Sequence, residues 1–181
     1  MRFWRSREAA RSFGEHDALK FVVDGMLGKL ARWLRMMGHN VKYSNTMEDS
    51  QLLALTKNEH RALLTRDFEL YQRAIVKGFN VFYVEGGTEE ERLAELARRY
   101  GIRFDIDMTI SRCPKCNATV KQILKENAKG RVEESTFRYY NEFWECPQCH
   151  QVYWQGAHWR QIRKTLKAAE RHLEGAEKQE V

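Results

Sequence analysis

Four short apolar runs, each answered by a stripe at helical spacing, constrain this chain more than any other feature of its sequence. The first run is Phe21-Val22-Val23 and it stops at Asp24. After it, Met26, Leu27, Leu30, Ala31, Trp33, Leu34 and Met37 recur at three- and four-residue intervals, which predicts a helix over residues 26–37 with Lys29, Arg32 and Arg35 on its other side. Residues 41–44 read as a second strand, with Asn45 or Thr46 as the cap of a helix over 47–58 that is buried through Leu52, Leu53 and Leu55. Residues 62–65 are a third strand, running into Arg66-Asp67 and a helix that carries Phe68, Tyr71 and Ile75 on one face and ends at Gly78. A fourth strand over 81–84 leads to a Thr88/Glu91 capping box and a helix closing at Tyr100-Gly101. Strands alternating with helices imply right-handed crossovers and a mostly parallel sheet covered on both faces, an α/β fold.

That topology has a chemical consequence. Asp24 ends the first strand, Asp49 opens the helix after the second, and Asp67 follows the third, so a parallel sheet carries all three to one carboxyl edge, where α/β proteins bind ligands. Carboxylates suit hard divalent cations such as magnesium or manganese, which keep waters and substrate phosphates as further ligands. Taken singly, each acid also has a structural reading: Asp24 and Asp67 as helix caps, Asp49 as a charge answering a helix dipole. Asp24-Gly25-Met26 lacks the second acid of a DxD motif, and a GxxxxGK[ST] loop and a GxGxxG motif are absent, which sets aside the phosphatase, nucleotide-loop and dinucleotide chemistries those motifs serve.

The four cysteines of the chain form two pairs, Cys113-Pro114-Lys115-Cys116 and Cys146-Pro147-Gln148-Cys149. Paired CxxC turns supply the four thiolates of a tetrahedral structural zinc site with no open position. Asn117 and His150, the residues after each pair, stand where such a turn needs positive φ. Lys129-Gly130 is the expected turn of this ribbon, and Tyr139, Tyr140, Phe143, Trp144, Tyr153 and Trp154 supply its aromatics, of which a few exposed ones would stack on unpaired bases. The last helix carries Arg160, Arg163, Lys164, Lys167 and Arg171 at helical spacing, either as a phosphate-facing stripe or as a solvated face. A formal net charge of +6 and a pI near 9.2 favour a polyanionic partner. No run of eighteen apolar residues is present, and Met1-Arg2-Phe3-Trp4-Arg5 leads into no apolar segment, so no membrane partner and a cytoplasmic location are the expectation.

Five stretches together resemble a known group. DGMLGKLARWLR from Asp24, EDSQLLAL from Glu48, LLTRDFEL from Leu63, RCPKCN from Arg112 and CPQCHQVYWQGAHW from Cys146 are similar to the Mut-seven-C RNase family, PIN-like domains fused to a zinc ribbon. The resemblance runs from Phe21 to Trp159 and implies a PIN-like three-layer fold with metal-dependent RNA cleavage. It implies that Asp24, Asp49 and Asp67 hold magnesium or manganese, with Glu48 or Glu69 assisting, because the wider PIN family places a glutamate between the first two positions that this chain lacks. Lys29, Arg32, Arg35 and Arg66 are the expected phosphate contacts, and single-stranded or looped RNA is the expected partner. The expected organisation is an N-terminal extension over 1–19, a PIN-like nuclease domain over 20–108, a zinc ribbon over 109–157 held by Cys113, Cys116, Cys146 and Cys149, and a basic helix over 158–181. The alternative reading is a module that keeps the fold and ribbon and binds RNA without cutting it.

Overall fold

The computed structural model describes residues 18–177, so the extension expected over 1–19 lies outside the described residues except for Ala18 and Leu19. Strands β1 (Lys20–Val23), β2 (Asn40–Tyr43), β3 (Ala62–Thr65) and β4 (Val81–Tyr83) form one parallel sheet in the order β2-β1-β3-β4. The two central strands are buried along almost their whole length, as a sheet covered on both faces requires. Alternate side chains then divide the core. Phe21, Val23, Val41 and Leu64 pack with Leu30 and Leu34 of α1 (Gly28–Met36), Leu93 and Leu96 of α4 (Glu89–Tyr100), and Leu166 and Ala169 of α6 (His158–Glu177). Val22, Leu63 and Val81 face Leu52 of α2 (Asp49–Glu59) and Leu70 and Ala74 of α3 (Phe68–Val76).

This division follows from strand order. The chain steps from β1 outward to β2, then returns across β1 to β3 and on to β4. Right-handed crossovers must lie on opposite faces when the direction of travel reverses, and α1 is accordingly on one face while α2 and α3 share the other. The reversal leaves a crevice between the carboxyl ends of β1 and β3, the switch point at which open α/β sheets take their ligands.

Several local details differ from the sequence expectation. The helix after β1 begins as a 3-10 turn, Gly25–Leu27, which leaves Met26 exposed, and only then becomes α1. Helix α2 is capped by Glu48, whose N–H donates to Gln51 Oε1 at 2.9 Å, and not by Asn45 or Thr46. On α3 the inward residues are Leu70 and Ala74, so the face with Phe68 and Ile75 looks out. The Thr88/Glu91 box and the left-handed Gly101 that closes α4 are both present, the glycine at φ 68°. Helix α6 belongs to the main core through Leu166 and Ala169, while Arg160, Arg163, Lys164, Lys167 and Arg171 are exposed along it.

The second sheet is antiparallel, β5 (Lys121–Ile123), β6 (Phe143–Glu145) and β7 (Val152–Tyr153), in that order. Between β5 and β6 the chain makes a 3-10 turn at Lys125–Ala128, passes Gly130 at φ 73°, and forms a short helix, α5 (Glu134–Tyr139). The ribbon is fastened to the first sheet at β2. Arg35 at the end of α1 is 5% exposed, and its guanidinium donates to Val41 O through Nη2 at 2.9 Å and to Pro114 O through Nη1 at 2.9 Å, with Lys115 O at 3.2 Å. Asn117 accepts from Val41 N at 2.9 Å and donates to Asn40 Oδ1 at 3.0 Å. The outward N–H and C=O of Val41 on this edge strand are thereby occupied.

Arg35, expected from the sequence at phosphate, has its guanidinium engaged instead by carbonyl oxygens of β2 and of the first cysteine turn. The last turn of α1 lies under the first cysteine turn, and three carbonyl oxygens, of Val41, Pro114 and Lys115, accept from Nε, Nη1 and Nη2 of the guanidinium. Replacing it with methionine would strand Val41 O, Pro114 O and Lys115 O, each a buried or half-buried acceptor. Arg35→Met is expected to lower unfolding free energy by about 3 kcal/mol in urea titration, and Arg35→Lys to recover only part of that, because one ammonium cannot reach both groups.

Candidate functional site

The sheet ladder extends one residue past β1, since Asp24 N donates to Leu64 O at 3.0 Å. This fixes the Asp24 backbone at the switch point, and its side chain turns toward β3. Thr65, the last residue of β3 and wholly buried, donates its hydroxyl to Asp24 Oδ2 at 2.8 Å. The same hydroxyl accepts from Asp67 N at 2.9 Å. Asp24 Oδ1 also accepts from Met26 N at 3.3 Å, and Asp67 Oδ1 accepts from Leu70 N at 3.0 Å, so both acids cap the helices that follow them. One threonine thus ties Asp24 to the start of the Asp67 turn. Sequence reasoning placed both acids here but not the bridge; its signal was a lone hydroxyl closing the otherwise apolar run Ala62-Leu63-Leu64-Thr65.

Asp49 is placed differently. It opens α2, and its carboxylate forms an ion pair with Arg73 of α3. Asp24, Asp49 and Asp67 do not come together as a trio of metal ligands; among the described residues the one such group is the four cysteines. Of the cations expected at phosphate, Lys29 and Arg32 stand exposed on α1 and Arg66 is half-buried beside Asp67.

A cleft of about 670 Å³ runs from this edge to the ribbon, lined by Arg32, Arg35, Tyr43, Lys115, Gln151 and Tyr153 among others, with no acid in its wall. Tyr43 ends β2 and its hydroxyl donates to Gly25 O at 3.2 Å, next to Asp24. The phenol crosses Gly28 so closely that a Cβ there would lie 2.8 Å from Tyr43 Cζ, and only glycine leaves it room.

At the far end of the cleft the four cysteine sulfurs lie within 4.8 Å of one another, with Cys116 and Cys146 at 3.3 Å and Cys113 and Cys149 at 3.5 Å. Four thiolates about 2.3 Å from a tetrahedral zinc would be spaced by roughly 3.8 Å, so the cage fits that ion. The two turns are copies of each other: Asn117 N donates to Cys113 O and His150 N to Cys146 O, both at 2.9 Å, with positive φ of 73° and 56° at those residues as expected. Burial would raise the Cys113 thiol, but the Tyr153 hydroxyl and the N–H groups of Cys116 and Lys115 outweigh it and hold Cys113 at about 7. Burial and the neighbouring thiols push Cys116 up to about 12.

A family model described as the Mut7-C RNAse domain matches residues 19–166. The chain belongs to this family. Comparison with curated proteins and with solved structures returned no match. The family description points to an RNase-type function on nucleic acid, and the match takes in the acid edge, the basic cleft and the cysteine cage of this Mut7-C chain together. No helix among the described residues is long and apolar enough to cross a membrane.

Two outcomes are expected at these positions. Because Cys116 carries its proton at neutral pH when the cage is empty, zinc uptake releases protons and zinc affinity falls as pH is lowered; chelator competition at pH 6 and pH 8, with elemental analysis of Cys113→Ser as control, measures both. Thr65→Val keeps the shape but removes the bridge, and is expected to cost about 1–3 kcal/mol of stability in thermal or urea unfolding, since Asp24 loses a charge-assisted donor in a buried setting.

Proposed function

We propose that this chain is a magnesium- or manganese-dependent ribonuclease that hydrolyses phosphodiester bonds of single-stranded or looped RNA at the carboxyl edge of a PIN-like sheet, in the cytoplasm. The observation that carries this reading is the Thr65 hydroxyl, which joins Asp24 to the Asp67 turn at the switch point of a chain in an RNAse family. The donor set there is all oxygen, which fits a hard divalent ion. Asp24 and Asp67 would hold it, and Asp49 would join them on leaving Arg73. When bound, the ion would supply an activated water and offset charge on the phosphorus oxygens. Lys29, Arg32 and Arg66 grip phosphate. The ribbon takes the RNA further along the cleft through Lys115, while Arg35 acts on RNA only by holding that turn in place.

A second reading has its own support. Asp24 and Asp67 are both engaged as caps and Asp49 is paired with Arg73, which suits a module that binds RNA without cutting it. Cleavage of a labelled single-stranded RNA with and without added manganese separates the two. The ribonuclease cuts only with the ion, and Asp24→Asn abolishes cutting while manganese, which raises the melting temperature of wild type, stabilises the variant much less. A capping role alone predicts that Asp24→Asn leaves the manganese response unchanged, and that wild type cuts nothing.

A further inference from the structure

The face of α3 that looks outward carries an aromatic cluster. Phe68, the first residue of the helix and the neighbour of Asp67, is 56% exposed. Two tyrosines hold its ring: Tyr83 meets it edge-on at 5.9 Å between centroids and 86° between planes, and Tyr71 lies stacked at 6.2 Å and 28°. Tyr71 and Tyr83 in turn touch at 5.6 Å. The core on this side is filled by Leu70, Ala74 and Leu63, so folding does not require an aromatic ring at Phe68. A half-exposed phenylalanine fixed from two sides is a rigid apolar surface whose rotamer freedom has already been lost.

Its place in the sheet says what would use it. Tyr83 stands in register with Thr65, and residues in register on parallel neighbours share a face, so the cluster lies on the side from which Thr65 reaches the acids. Along the carboxyl edge the order is Tyr43 beside the basic cleft, then Asp24, then Thr65 and Asp67, then Tyr83. Three strand steps of about 4.8 Å span roughly 14 Å. Tyr43 pairs with Val23 on the α1 face, so a strand of RNA crossing this edge from the α1 face to the α3 face meets cations first, then carboxylates, then an aromatic ring.

We propose that Phe68, backed by Tyr71 and Tyr83, is a stacking platform for one unpaired nucleobase next to the bond at the acid edge. This rests on the ribonuclease reading of that edge and adds to it a reason for preferring unpaired RNA, because a base held in a duplex has no free face to offer. It adds a stacking position on α3 to the ribbon, where Phe143 and Trp144 are buried and Tyr139 is exposed.

The test measures binding of a short fluorescent oligoadenylate to the full chain in an Asp24→Asn background, so that no RNA is consumed. Phe68→Ala and Phe68→Leu are expected to weaken binding roughly 5- to 150-fold, the range that loss of one stacked base gives, and Phe68→Trp to bind as tightly as Phe68 itself. An abasic ribose walked along the oligonucleotide should cost the same factor at one position, and nothing there once Phe68 is alanine. Full affinity in Phe68→Leu, or abasic and Phe68→Ala losses that simply add, overturns the platform. So does a Phe68→Leu chain that changes from dimer to monomer by sedimentation with RNA affinity intact, which would assign the apolar face, with Ile75 and Val76, to a second copy. The two readings fail separately: an otherwise wild-type chain that cuts no RNA with manganese while Phe68 still governs affinity sinks the nuclease alone, and metal-dependent cutting with binding indifferent to Phe68 sinks the platform alone.

Discussion

The guanidinium of Arg35 is the joint on which the two halves of the structure depend. Burial disfavours its charge and lowers its pKa, and negative charge on Cys113 and Cys116 works in the opposite direction. Four thiolates around one zinc ion leave a net charge of about −2, so a buried cation beside the first cysteine turn is favourably placed. Its carbonyl partners belong to β2 on one side and to Pro114 and Lys115 on the other. The cation is thus satisfied only when sheet and cysteine cage are both formed, which makes the folding of each a condition for the other. Arg112 and Ser111 extend the seam, donating to Gly38 O at 3.3 Å and to Met36 O at 2.6 Å.

At the other edge of the same fold, one set of carboxylates answers two demands. Asp24 and Asp67 satisfy helix N–H groups with one oxygen each, and Thr65 keeps the Asp24 carboxylate turned toward β3. A cap and a ligand ask for the same thing, a negative oxygen held at a fixed place by the backbone. The choice between the two roles therefore lies in what else converges on the edge. Here that is a cleft walled by cations on one side and a braced aromatic ring on the other.

Much of this was legible in the sequence, for stated reasons. The β-α alternation could be read because central parallel strands are wholly apolar and the helices facing them carry stripes at 3.6-residue spacing. The cage could be read because CxxC spacing encodes its turn, down to positive φ at Asn117 and His150. Arg35 could not. On a helical wheel it falls with Lys29 and Arg32, and only the arrival of residues more than seventy positions later turns a surface cation into a buried one. Phe68 escaped for the complementary reason: spacing shows that Phe68, Tyr71 and Ile75 share a face but not which face the sheet takes, and Leu70 and Ala74 won it by fitting against Leu63 and Val81. Asp49 was placed correctly at a helix start, while its partner Arg73 sits on another helix that no local pattern connects to it.

The closed side of β2 reaches beyond RNA. A bare edge strand is a template for another chain, and Asn117 and Arg35 spend their hydrogen bonds covering this one. Asn117 follows the first cysteine turn and Arg35 is anchored to it through Pro114 O and Lys115 O, so the cover on this edge depends on that turn. Opening that turn would bare Val41 N and Val41 O and strip the buried Arg35 cation of its partners together, so exposure of a strand edge and loosening of the fold would come as one event.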